Sequence, residues 1–511
     1  MRSKLKYILG ASLVSWGGSV LLAAGSSDKP NIIYILADDL GYGELGCYGQ
    51  RKIETPNIDK LAEKGMIFTQ HYSGSAVSAP SRSVLLTGKH TGHTYIRGND
   101  ELSSRGNVWN HQAVFDNPTL EGQRPFPANT KLLPQLFKEA GYQTACIGKW
   151  GLGYPESDST PTKMGFDFFY GYNCQRQAHT YFPAFLYKNE ERVLLNNSIL
   201  QPGTPLSQGA NPYDAKSYVN FNQSDYSPDL MFKEILSFVD KNKQNPFFLM
   251  WNTPLPHVSL QAPEKWVNYY VKKFGDEKPF FEKSLYFPSR YPRATYAAMI
   301  SYLDEWVGNL IDFLKKSGLY ENTVVVFTSD NGPSFQGGAD PVFFDSAGPF
   351  KSERGWGKTS LHEGGIRVPM IVSWPGKIKE KSFSDHISAF WDVMPTFAEI
   401  VRVKSPATDG ISFLPTLLGK KQPKHKFLYW EYPEYNGTIA VRKDNWKGII
   451  QNVNKGNKEL ELFDLNSDPQ EMFNVASNHP SIVKKMNEYI QESHTVSGVE
   501  RFRFPFETKK Q

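Results

Sequence analysis

The segment Ser78-Ala79-Pro80-Ser81-Arg82 carries the densest chemistry in this sequence. A serine, an early proline and the apolar residues Val84, Leu85 and Leu86 together read as a helix start, with Ser78 able to cap the first turn. A helix amino terminus presents unpaired N–H groups and positive potential, which favours a bound anion. Arg82, one turn further on, shares the face of Ser78. Two pairs of oxygen donors stand elsewhere: Asp38 and Asp39 follow the run from Asn31 to Leu36, and Asp330 and Asn331 follow the run from Thr323 to Thr328. Both runs are short, apolar and β-branched, the pattern of buried strands. The four residues are therefore hard oxygen donors at two strand ends, a set that suits calcium better than magnesium. Taken singly, an Asp-Asp after a strand is more often a turn or a helix cap.

Those positions require a frame. Helical segments are expected at Ile58 to Lys64, Thr130 to Ala140, Pro228 to Lys241 and Arg293 to Lys316, with further buried runs at Tyr142 to Gly148, Phe247 to Trp251 and Val368 to Ser373. Strands alternating with helices predict an α/β fold, a large mostly parallel sheet flanked by helices on both faces. In such sheets the functional crevice lies at the carboxyl ends of the strands, where both donor pairs fall. From about residue 421 the pattern changes to short runs with turn signals and a helix from Pro480 to Ser493, which predicts a smaller C-terminal antiparallel sheet plus helix. The expected division is residues 1–25, 26–420 and 421–511.

The run from Ser78 through Pro80, Ser81 and Arg82 to Thr87 and Gly88 resembles the signature of the formylglycine-dependent sulfatases, part of the alkaline phosphatase superfamily. The resemblance is to the serine-type bacterial carbohydrate sulfatases. It implies that Ser78 is oxidised to formylglycine by an oxygen-independent maturation enzyme. A plain serine would leave a stable sulfate ester; in the family one hydroxyl of the aldehyde hydrate attacks sulfur and deprotonation of the other expels sulfate. The resemblance also implies a calcium ion beside residue 78, held by Asp38, Asp39, Asp330 and Asn331 with Ser78 itself.

Lys149, in Gly148-Lys149-Trp150, and Lys358, ahead of Glu363-Gly364-Gly365-Ile366-Arg367, match two sulfate-binding lysines of the family, which with Arg82 neutralise the sulfate oxygens. His257 matches the position at the scissile bond, and histidine is the natural general acid near neutral pH. One departure stands out: Gly151 occupies the place of a family histidine that contacts the formylglycine. The segment from Gly171 to Tyr181 resembles the specificity loop of carbohydrate sulfatases, including those acting on galactose-type sugars. Arg176 and His179 within it are expected to contact sugar hydroxyls, and a galactose or N-acetylgalactosamine-type sulfated glycan is the expected substrate. The stretch from Leu462 to Ala476, with Asp468, Pro469 and Glu471, resembles the family's C-terminal motif and speaks for fold rather than catalysis.

Composition agrees with an ordinary folded chain: 40% hydrophobic and 21% charged residues lie far from disordered or fibrous compositions. Arg2, Lys4 and Lys6, an apolar run from Tyr7 to Leu22 and the small residues Ala23, Ala24 and Gly25 read as a cleaved export signal, which predicts a periplasmic protein. Removing those three cations takes the formal charge from +5 to about +2, too little to argue for nucleic acid. No later segment reads as a membrane span. Three cysteines without metal-like spacing give no disulfide framework. The competing functions are a phosphodiesterase or phosphonate hydrolase of the same superfamily, and a non-catalytic binder of sulfated glycans should Ser78 stay unmodified.

Overall fold

A computed structural model of the chain describes residues 29–508. The expected export signal, residues 1–25, lies outside them. The run after Pro30 forms β1 (Asn31–Ala37), fully buried along its length. Its alternate residues feed two separate cores: Ile32, Tyr34 and Leu36 face one, Ile33, Ile35 and Ala37 the other. Burial on both faces is why the strand is continuously apolar instead of alternating. Ten further strands join it: β2 (Met66–Tyr72), β3 (Gln143–Lys149), β4 (Phe168–Tyr172), β5 (Phe185–Lys188), β6 (Glu191–Leu194), β7 (Phe247–Asn252), β8 (Thr323–Ser329), β9 (Arg367–Ser373), β10 (Ser382–Ser384) and β11 (Ser388–Ala389).

The sheet order is β10-β2-β9-β8-β1-β7-β3-β4-β5-β6, with β11 also on β2. Its centre, β8-β1-β7-β3-β4, is parallel throughout. The strand at Arg367–Ser373 runs antiparallel to both neighbours, β8 and β2, so β2 regains the direction of β1. The β4-β5-β6 edge is an antiparallel meander. Helices cover both faces; Pro292–Lys316, the longest among the described residues, buries Ala294, Ala298 and Leu303 against the second core.

Four more strands, β12 (Leu428–Tyr432), β13 (Thr438–Lys443), β14 (Trp446–Gln451) and β15 (Glu461–Asp464), form the expected antiparallel sheet in sequence order. Strand alternation divides its faces. Tyr429, Val441 and Leu462 pack with Met486 and Ile490 of the helix Pro480–Ser493, while Trp430, Ala440 and Phe463 join the main core. The small sheet is thus fused to the large one. Among the described residues no helix is long and apolar enough to cross a membrane, and Cys47, Cys146 and Cys174 are free thiols.

Candidate active site and metal centre

Every sequence-predicted site residue comes to one edge of the sheet. Asp38 and Asp39 leave the carboxyl end of β1, Asp330 and Asn331 that of β8, Lys149 closes β3, and His257 follows β7. These four strands are adjacent and parallel, so their ends deliver side chains to one crevice. Close approach of the backbones demands glycine at Gly148, which has φ of 120° and where a Cβ would meet the Asn252 carbonyl oxygen at 1.9 Å. Ser78 arrives on the helix Ser78–Thr87, after β2. Its local role differs from the expectation. Val77 holds the N-cap position, and Ser78, the first helical residue, turns its hydroxyl to Asp38 Oδ1 at 3.1 Å instead of capping the helix.

The resulting cluster is buried and densely paired. Arg82 donates to Asp330 Oδ2 at 2.9 Å and Asp38 Oδ2 at 3.3 Å, and its Nη1 to the Lys149 carbonyl at 3.0 Å. Lys149 Nζ lies 2.7 Å from Asp38 Oδ2 and 3.3 Å from Ser78 Oγ. Lys358 Nζ donates to Asp39 Oδ2 at 2.7 Å. Asp39, in the left-handed region at φ 64°, is held there by its N–H, which donates to Asp330 Oδ1 at 3.1 Å. A non-glycine residue in this region is costly and concentrates at functional sites. His257 Nδ1 donates to the Val258 carbonyl, which can only accept. That bond leaves Nε2 directed at the site, 3.7 Å from Asp39 Oδ2.

Three carboxylates face three fixed cations, and burial sets their protonation. Burial pushes Asp330 up to about 6, helped by the neighbouring Asp38 charge. Burial also raises Asp39, with Lys358 opposing it. Asp38 is the exception: burial would raise it, but Lys149, His257, Arg82 and Lys358 outweigh that and hold the carboxyl below its ordinary range. Burial, then the Lys358 charge, lowers His257 well below an ordinary imidazole. The donor set fits a hard divalent cation. Asn331 Nδ2 donates to Asp39 Oδ1 at 2.8 Å, yet Asn331 Oδ1 is buried without a hydrogen-bond partner beside the carboxylates. An orphaned acceptor among anionic oxygens is what a cation ligand looks like.

Ser78, Lys149, Lys358 and His257 line the floor of a cavity of about 390 Å³. Arg176 and His179, from the 3-10 turn Gln175–His179, line its wall. Arg176 stacks on Trp109, and the His179 ring sits 5.3 Å from that of His257 and 5.0 Å from that of Tyr286. At the departure noted above, Gly151 has φ of 73°, and a Cβ there would lie 3.2 Å from Gln175 Cβ. Gln175 lies beside this glycine, and its Nε2 donates to Glu101 Oε1 at 3.0 Å. Sequence reasoning missed Asn99, Glu101, Trp109 and Tyr286, and missed Glu434 and Arg501 from the C-terminal part, all of which line the cavity. Asn99, Glu101, Trp109 and Tyr286 stand in irregular segments, Glu434 just past the end of β12 and Arg501 in the 3-10 turn Glu500–Phe502, and no motif marks any of them.

Comparison with known proteins agrees with this geometry. The sulfatase family profile matches residues 30–418, and that of the N-sulphoglucosamine sulphohydrolase C-terminal region matches 352–495. An N-acetylgalactosamine-6-O-sulfatase of Bacteroides thetaiotaomicron is 29% identical, covering 92% of this chain and 94% of its own. The N-acetylgalactosamine-6-sulfatase of Canis lupus familiaris is 30% identical, over 88% of this chain and 82% of its own. The crystal structure of Ps i-CgsB superposes with a TM-score of 0.71 at 27% identity, covering 91% of this chain and 93% of that one. With the sheet, the crevice and the match over most of its length, the chain belongs to the sulfatase family and is a sulfuric ester hydrolase.

Proposed function

We propose that this chain is an exported, calcium-binding glycan sulfatase whose nucleophile is formylglycine made from Ser78, and that it removes sulfate from a galactose- or N-acetylgalactosamine-type sugar. The observation that carries the reading is the convergence on residue 78: its Oγ lies 3.1 Å from Asp38 and 3.3 Å from Lys149, at a helix amino terminus. The similarity to N-acetylgalactosamine-6-sulfatases supports the sugar class. A serine-directed maturation enzyme is the partner this reading requires, and the basic and apolar start of the sequence supports export to the periplasm.

Asp38, Asp39, Asp330 and Asn331 would hold the cation, which supplies Lewis-acid polarisation of a sulfate oxygen when bound. The oxidised side chain at 78 supplies a geminal diol, a stronger nucleophile system than serine. The remaining work belongs to this chain's own residues. Asp38, Asp39 and Asp330 balance Arg82, Lys149 and Lys358 in formal charge, so a divalent cation leaves the crevice positive, as an anionic sulfate ester requires. Lys149 and Lys358 reach the sulfate oxygens as point charges, while Arg82 holds Asp38 and Asp330 at their spacing. His257, its Nδ1 bonded to the Val258 carbonyl, offers Nε2 to the leaving oxygen. The charge of an arriving sulfate ester favours the imidazolium that burial disfavours. Arg176 and His179 meet the sugar on the cavity wall.

The test has two arms. Intact-mass analysis of the Ser78 peptide from the native host should show the loss of two hydrogens. Rates on 4-nitrophenyl sulfate should exceed those on 4-nitrophenyl phosphate, and a panel of sulfated monosaccharides should select N-acetylgalactosamine 6-sulfate or galactose 6-sulfate. An unmodified serine in an active enzyme, or preference for the phosphate, overturns the reading.

A further inference from the structure

The helix that carries Ser78 begins without a cap of its own. Val77 stands extended at the N-cap position and offers no side-chain acceptor, so the first-turn N–H groups need partners from elsewhere. The N–H of Ala79 donates to Asn99 Oδ1 at 3.1 Å, across 20 positions of chain. Because an N–H can only donate, this contact fixes which amide atom of Asn99 faces the helix. Asn99 is held in turn by the C-terminal part: its own N–H donates to Glu434 Oε2 at 2.8 Å. Arg501 Nη2 lies 3.7 Å from Glu434 Oε1, and Arg501 also pairs with Asp100. Two residues earlier, Arg97 pairs with Glu431 of β12 and donates to the Thr495 carbonyl at 2.7 Å. Residues 97–101 are therefore fixed to elements more than 330 positions away on one side, and to the first turn of the nucleophile's helix on the other.

We propose that Asn99 is a positioning residue for residue 78, capping its helix from outside, and that the C-terminal subdomain sets its aim through Glu434. The inference rests on residue 78 being the nucleophile. Its physical basis is that the first turn of a helix is the part that frays. Residue 78 works only where its side chain meets Asp38 and Lys149 together, and a displacement on the order of 1 Å costs roughly a hundredfold in rate. Asn99 also lines the cavity, so direct contact with substrate is the rival role.

Two variants separate the roles: Asn99→Leu removes the acceptor, and Asn99→Asp keeps one. Each is purified from the native host, the converted fraction of residue 78 is read by mass, and rates on 4-nitrophenyl sulfate and N-acetylgalactosamine 6-sulfate are expressed per converted site. Asn99→Leu should lower kcat roughly tenfold on both, the worth of a lost cap, with KM within about threefold. Asn99→Asp should return kcat to within about threefold of wild type, while its added negative charge beside the anion site raises KM. Independently of conversion, amide exchange across residues 74–83 should quicken in Asn99→Leu and not in Asn99→Asp. A raised KM with unchanged kcat in Asn99→Leu, equal losses in both variants, or unaltered exchange overturns the proposal. A wild-type enzyme active on these sulfates with Ser78 unmodified fails the nucleophile assignment itself, a separate and recognisable result.

Discussion

Lys447 is fully buried at the seam between the two sheets, and its removal gives a calculable result. Its Nζ lies 2.8 Å from Glu363 Oε1 and 3.4 Å from Glu471. Glu471 accepts the Glu363 N–H at 2.7 Å, and Glu363 also pairs with Arg367 at 3.0 Å and accepts from Tyr72 at 2.6 Å. Replacing Lys447 by Met leaves the buried Glu471 without its cation, while Glu363 keeps Arg367 and Tyr72, and should cost about 3–5 kcal/mol, the usual penalty for breaking a buried pair. An unfolding entropy of about 2 cal/mol/K per residue amounts to about 1 kcal/mol/K for this chain, so the melting temperature should fall by about 3–5 °C. The pH dependence has a definite sign. Burial pushes Glu471 from 4.5 up to about 7, against the opposing Lys447 charge. Between those values the folded protein binds more protons than the unfolded chain, so this group's contribution is complete below about pH 4.5 and is lost as pH rises to about 7. The span amounts to about 3 kcal/mol at roughly 1.4 kcal/mol per unit. Scanning calorimetry of wild type and Glu471→Gln from pH 4.5 to 7.5 should show that much less decline in the variant. Parallel curves, or a Lys447→Met protein melting within about 1 °C of wild type, would refute the reasoning.

Two further outcomes test the chemistry. His257→Ala should lose roughly a thousandfold in kcat on N-acetylgalactosamine 6-sulfate but only about tenfold on 4-nitrophenyl sulfate, because nitrophenolate departs without a proton; equal losses would remove His257 as the acid. Chelation should lower the wild-type melting temperature and calcium should restore it, since a ligand of the native state stabilises by mass action. Asp39→Asn should blunt that response, and a wild type indifferent to chelator would dismiss the cation site.

The sequence announced the crevice because each of its parts is coded locally. A buried parallel strand must be apolar on both faces, so the first polar residues after it mark its end, and Asp38 and Asp330 were readable for that reason. The glycine of Gly148-Lys149 records a backbone approach that excludes Cβ, so it carries position as well as identity. The serine expected to cap its own helix behaves otherwise, since its hydroxyl is drawn to Asp38. The antiparallel placement of β9 and the β4-β5-β6 meander were not legible, because hydrogen-bond direction depends on the route of the connection and leaves no mark on a strand's own residues.

The cavity wall escaped for a related reason, and it bears on how the two parts of the chain depend on each other. Asn99 and Glu434 are 335 positions apart, and neither lies in a periodic element, so their meeting exists only in the folded chain. The C-terminal motif around Glu471 speaks for fold rather than catalysis, and its contacts show how it does so. Glu471 and Lys447 fasten the segment of Glu363, which follows Lys358 by five positions and leads directly into β9. One ion network thus holds the floor of the crevice while Glu434 and Arg501 hold its rim. A truncation before β12 should therefore remove both supports at once, and would be expected to abolish activity even where the large sheet survives.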